Sequence, residues 1–234
     1  MRLIAAGKAI WHGAVSPQRV QEATAQAATA TFAVAVLLVV VVSVWSAMIE
    51  NGDATLAVES QLLTQTTAVL PADTTDLDMS SPQRQFTAIL GGALTVTIVS
   101  TAALAGFFLI VTRFMTNAPV TYGMAIIAVA SSALVQCLDL SMSSAGHIIF
   151  HTARAGLHAG VFISPIESPM LFTWLQRISL FSLWQYVAVA IALTTWGGLH
   201  QRYGLVVGFV VWLVTRLIFG ALTLVTWVVS LQKV

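Results

Sequence analysis

Charge is the scarcest ingredient of this chain. Only 8% of its 234 residues are Asp, Glu, Lys or Arg, where a soluble domain carries about 25%. Hydrophobic residues make up 58%, and the mean hydropathy is +0.89. That balance excludes a water-soluble globule. It also excludes an intrinsically disordered chain, which needs low hydrophobicity and high net charge. Ten Lys and Arg against nine Asp and Glu leave a net charge of +1, so the basic footprint of a nucleic-acid binder is missing. The single cysteine, Cys137, rules out an internal disulfide, a CxxC redox pair and a multi-cysteine metal site. GxSxG, HExxH and GxxxxGK[ST] are all missing, and with them the common signatures of a serine hydrolase, a zinc protease and a P-loop enzyme. The apolar runs hold no paired carboxylates of the kind an ion pump uses, and no inverted repeat of the kind many transporters show. An enzyme is therefore not expected.

What the chain has is long apolar sequence. A spanning helix needs about 20 mostly apolar residues to cross roughly 30 Å of hydrocarbon. Five runs meet that length: about 30–49, 86–112, 118–140, 178–199 and 204–229. The third is softened by Ser131, Ser132 and Gln136. The runs are continuous, not the alternating pattern of an outer-membrane barrel. The expected fold is all-α, a polytopic membrane protein with a five-transmembrane-helix bundle over 30–234. Outer loops are expected at 50–85 and 141–177, the latter as an interfacial or re-entrant segment.

Residues 1–29 form the remaining segment. In 2–15, Leu3, Ile4, Ile10, Trp11, Ala14 and Val15 fall within about 140° of a helical wheel. Arg2, Lys8 and His12 take the rest, as in an interfacial amphipathic helix. Ser16-Pro17 reads as a cap with proline at the first helical position. Met1-Arg2 is followed by only a short apolar stretch before Lys8, which is not the form of a cleaved signal. Arg2, Lys8 and Arg19 precede the first run, and Glu50, Asp53, Glu59, Asp73, Asp76 and Asp78 follow it. Positive charge stays on the cytoplasmic side. The expectation is a multi-pass protein of the bacterial inner membrane, N-terminus cytoplasmic and C-terminus periplasmic. The tract 73–78 lacks the glycine and terminal glutamate of a calcium loop and reads as solvated.

Three groups of residues stand out. His147, His151, Arg154 and His158 follow at i, i+4, i+7 and i+11, one stripe if the stretch is helical. Imidazoles a turn apart suit haem, a chlorophyll-type pigment or a metal, making His147, His151 and His158 cofactor candidates. The alternative is the wet face of an interfacial helix. No carboxylate lies between Asp139 and Glu167, and no metal site is assigned. Arg216 stands mid-run in the last span, where a charge normally faces a bundle interior with a partner. The candidate partners are Gln136, Asp139 and Gln185, and a lipid phosphate is the alternative. Its register repeats in Gly204, Gly208, Trp212 and Gly220. Span two carries Ala93, Thr97, Thr101 and Ala105 at the same interval. Small residues in such series mark close helix packing, within the chain or on a partner.

The region from about 84 to 231 resembles the Yip1 domain family, especially its bacterial members. The resemblance rests on Ile178-Ser-Leu-Phe181-Ser-Leu-Trp184, on the polar turn His200-Gln201-Arg202 and on Ser16-Pro17. Phe181 and Trp184 match the family's hydrophobic-Asp-x-Phe-x-x-Trp run, whereas Ser179 stands where members carry Asp. The resemblance implies a cytoplasmic N-terminal segment, five helices and a non-enzymatic role, with partners among membrane-trafficking proteins in the eukaryotic relatives.

These features together predict a non-catalytic membrane scaffold or accessory subunit, alone or within a respiratory or photosynthetic complex. Its expected partners are other membrane proteins, in a hetero-oligomeric complex, and lipids. Two other readings stay open: a lipid or small-solute transporter organised around Arg216, and a subunit ligating haem or pigment through His147, His151 and His158.

Overall fold

A computed structural model of the chain describes residues 2–21, 27–53, 82–152, 154–164 and 166–231. Glu22, Lys233 and the acidic stretch holding Glu59, Asp73, Asp76 and Asp78 lie outside the described residues, as do the side chains of Arg84 and Trp227. The elements are α1 (Arg2–Val15), a 3-10 turn (Pro17–Arg19), α2 (Ala28–Gly52), α3 (Pro82–Thr116), α4 (Tyr122–Ser131), α5 (Ala133–Phe150), a second 3-10 turn (Ala159–Phe162), α6 (Pro169–Gln176), α7 (Leu180–Trp196) and α8 (Gln201–Leu231). Among the described residues the only extended pairing is an isolated antiparallel bridge between His158 and Ser179.

Four stretches among the described residues are long and apolar enough to cross a bilayer: Ala28–Ile49, Phe86–Thr116, Tyr122–Phe150 and Gln201–Val225. The run expected at 178–199 forms only the 17 residues of α7, about 26 Å at 1.5 Å per residue. Both ends are cut short by hydrogen bonding. At one end Ser179 is drawn into the bridge with His158. At the other, Gly198 takes φ +77 while Leu199 N–H donates to the Thr194 carbonyl at 2.9 Å, closing the helix as glycine C-caps do. Among the described residues, four stretches of crossing length stand where hydropathy counts five runs.

The third stretch also ends elsewhere than expected. Asn117, at φ +53, stops α3, and the Thr121 hydroxyl then caps α4 by accepting from Met124 N–H at 3.3 Å. At the α4–α5 junction the hydroxyls of Ser131 and Ser132 turn back onto the carbonyls of Ala128 and Val129, at 2.8 and 2.7 Å. Such back-bonding bends a helix. The helix then runs on to Phe150, ten residues past the expected end at 140.

The chain divides into two compact units. The first comprises Met1–Val42, Leu94–Asp139 and Phe181–Val214. Its core gathers Phe108, Val120, Ala125, Val189, Leu193, Val207 and Val211. Helix α7 is its most enclosed element, buried continuously from Tyr186 to Thr194. Helix α1 packs against α4 through Ala6, Ala9, Ile10, Gly13 and Ala14, while Leu3, Ile4, Trp11 and Val15 stay exposed. The burial therefore follows the small residues of α1 rather than its large ones.

The second unit comprises Ser43–Ala93, Leu140–Leu180 and Thr215–Val234. Fully buried Phe172 of α6 is its apolar centre, with Ile49 and Ile163 against it. Ser144 of α5 donates to Ser46 of α2 at 2.8 Å, both buried.

Candidate functional site

The polar candidates of the second unit collect around the end of α5, and they do not form the single stripe that their spacing suggested. The helix stops at Phe150, and His151 adopts φ +50. Its N–H still donates to the His147 carbonyl at 2.9 Å, an αL ending. His151 thereby turns outward, where its Nδ1 meets the Asp53 carboxylate. Arg154 is exposed and donates to the Val161 carbonyl at 3.4 Å. His147 and His158, by contrast, are 4% and 7% exposed.

His158 sits in a fitted slot. A Cβ placed on Gly156 would lie 2.7 Å from its Nε2, and one on Gly160 would lie 2.9 Å from its Nδ1. No other residue type allows backbone so near on both sides. Phe172 meets the ring edge-on, centroids 6.0 Å apart. Backbone fixes the position: His158 bridges Ser179, and Ala159 N–H donates to the Ile178 carbonyl at 2.9 Å. Neither ring nitrogen of His158 has a hydrogen-bond partner among the described residues. A buried neutral imidazole ordinarily has one, and leaving such a group unsatisfied costs about 1–3 kcal/mol. Burial, and then the neighbouring His147, hold the proton affinity of His158 below that of an ordinary imidazole. Among the described residues no three His, Cys, Asp or Glu side chains converge as a metal would require.

Arg216 is buried on α8. Its carbonyl accepts from Trp174 Nε1 at 3.0 Å, and that indole lies so close to Gly220 that a Cβ there would come within 2.6 Å. One turn further on, the Arg177 guanidinium lies over the Phe219 ring at 4.7 Å. Beside them opens an apolar groove of about 230 Å³, lined by Met170, Leu171, Trp174, Leu217, Gly220 and Leu224 among others. Of the residues expected to partner Arg216, Gln185 donates to Ser132 Oγ at 3.3 Å. Gln136 lines a small gap with Thr97 and Thr101. Asp139 is half-buried on α5.

The small-residue series are used inside the chain. A Cβ on Gly204 would fall 2.5 Å from Ile191 Cα, and one on Gly208 would fall 2.6 Å from Val187 Cα, so α8 rests directly on the α7 backbone. Thr97 and Ala105 are buried and Ala93 and Thr101 half-buried. The gap that Thr97 and Thr101 share with Ala35, Val39 and Ala133 measures about 10 Å³, room for one water at most.

Several contacts have no local sequence signal. Asp53 meets His151 across 98 residues. Trp184 Nε1 donates to the Ala14 carbonyl at 2.8 Å across 170 residues, tying α7 to α1. Trp184 reads as a motif residue, yet its indole and that of Trp174 each bond a backbone carbonyl. A buried indole usually finds an acceptor, which is the one hint that sequence offered.

The class that this architecture defines is an all-helical membrane protein with several apolar helices of crossing length. Comparison with protein-family models, with curated proteins and with solved structures gives no match.

Proposed function

We propose that this chain is a non-catalytic integral membrane protein that packs against other membrane proteins, as a scaffold or an accessory subunit of a larger complex. Helix α3 carries the reading. Only 17% of its apolar window is buried within the chain, although its small-residue face is already occupied. The helix also exposes Leu90, Leu94, Val96 and Val99. Beside them sit Gly91 and Gly92, each with nothing within 4 Å of a Cβ placed on it. Each glycine costs a helix about 1 kcal/mol relative to alanine. Lipid contact has no use for that, whereas a second helix approaching closely does.

In this reading the protein crosses a bacterial inner membrane five times. Helix α7 with its flanks forms the fourth crossing, and the N-terminus faces the cytoplasm. The Yip1-like run 178–184 fits the same role, since its Trp184 anchors the N-terminal helix rather than serving any chemistry.

The test is a photo-crosslinking residue at Leu94, followed by mild-detergent purification and mass spectrometry. A discrete protein adduct that disappears in Gly91→Leu/Gly92→Leu supports packing. Adducts to lipid alone, with the protein migrating as a lone monomer, refute it. The groove between α6 and α8 favours a second reading, in which lipid is bound beside Arg216. Lipid that co-purifies with the wild type and is lost in Gly220→Leu would favour that one.

A further inference from the structure

The slot around His158 carries an inference independent of the packing role. A neutral imidazole is tolerated there because the slot is apolar and closed. A protonated one would need an acceptor or water at both nitrogens, and the described residues supply neither. The charged and titratable groups on the elements around it do not help. Helix α5 presents His147, the segment after it carries His151 and exposed Arg154, and Arg177 ends α6. The nearby acids are Asp53, already engaged by His151, and exposed Glu167. A proton on His158 would therefore meet the repulsion of His147. The backbone that carries the ring is held by the bridge to Ser179 and the Ala159–Ile178 hydrogen bond, and Gly156 and Gly160 lie against its two nitrogens.

We propose that residues 155–164 and 166–179 form a proton-released clasp: with His158 neutral they are closed over the end of α5, and with His158 protonated they open. The sign follows from linkage. The closed form binds the His158 proton less tightly than the open form does, because of burial and of His147. The closed form is therefore fully favoured above the ordinary imidazole pKa of about 6.5 and loses ground as pH falls below it. Opening would expose Phe172, Ile163 and the Ser179 region, a surface that a partner or the membrane interface meets only on the acidic side.

Hydrogen exchange on the full-length protein in nanodiscs, between about pH 8 and pH 5 and corrected for intrinsic rates, tests the clasp. The amides of Ala159, Val161 and Ile163 are expected to lose protection by about tenfold per pH unit below the transition, the slope of one proton. His158→Leu, which fills the slot without titrating, is expected to stay protected throughout. His147→Gln removes the repelling neighbour, makes the closed form more tolerant of the proton and is expected to move the opening to lower pH. Protection unchanged at pH 5 in the wild type would overturn the proposal, as would a His158→Leu protein that opens at the wild-type midpoint. If His158→Leu is open at every pH, His147→Gln decides: a downward shift supports the clasp, and an unmoved or raised midpoint rejects it.

Discussion

In the unit made of 1–42, 94–139 and 181–214, helices meet where side chains are missing. Gly13 lies on the Ser131 carbonyl, Gly204 on Ile191 and Gly208 on Val187. In the unit made of 43–93, 140–180 and 215–234, side-chain polar contacts join distant segments: Ser144 on Ser46, Trp174 on the Arg216 carbonyl, His151 on Asp53. The difference has a physical cause. Between apolar helices inside a bilayer there is little hydrophobic driving force, so backbone proximity and van der Waals packing decide the fit. Where the chain leaves regular helix, backbone and side-chain polar groups must find partners within the protein. The first kind of unit tolerates no added volume, and the second tolerates no lost partner.

The largest expected effect comes from adding volume to the first unit. Gly208→Leu would press a side chain onto the α7 backbone, which cannot yield as a flexible side chain does. A loss of about 3 kcal/mol or more is expected, read as a lower melting temperature in mild detergent and faster exchange across 186–194. Gly91→Leu, where space is open, is the control and is expected to melt like the wild type. If both behave alike, the comparison between packed and open glycines fails.

Removing a partner from the second unit should act more gently and more locally. Trp174→Phe keeps the ring against Gly220 but deletes the bond to the Arg216 carbonyl, with an expected loss of about 1 kcal/mol. Exchange should quicken in 169–176 and leave 186–194 unchanged; a change in both would mean that the indole serves the whole chain. The smallest effect is expected from Ser144→Ala, about 0.6 kcal/mol, the typical worth of a side-chain hydrogen bond between membrane helices. Double substitution with Ser46→Ala should then cost little more, since the two hydroxyls share one bond.

Much of the helical architecture was readable in the chain, because a long apolar run has few other states available in a membrane. Runs 30–49 and 86–112 lie within α2 and α3, and 204–229 within α8. The fourth run is longer than the helix it forms, because apolarity does not report a helix end. Residues 178–199 are apolar almost throughout, yet a bridge at Ser179 and a capping turn at Gly198 trim the helix to Leu180–Trp196. The glycines at 204 and 208 read as a packing face, and what lies against them, α7 of the same chain, is a tertiary fact. The histidine stripe failed for a local reason: a helical period holds only while the helix lasts, and His151 at φ +50 ends it.

The sequence by itself determined that this is a helical membrane protein poor in charge, with small residues where helices meet and few ionisable groups inside its spans. Those properties follow from composition and period, which every copy of the chain carries before it folds. Only the tertiary structure decided that His158 would be enclosed by two glycines while His151 turns outward to Asp53, that α8 would lie on the α7 backbone, and that Trp174 and Trp184 would each find a carbonyl. The two indole contacts depend on backbone carbonyls that arrive from 42 and 170 positions away, and no local pattern encodes that arrival.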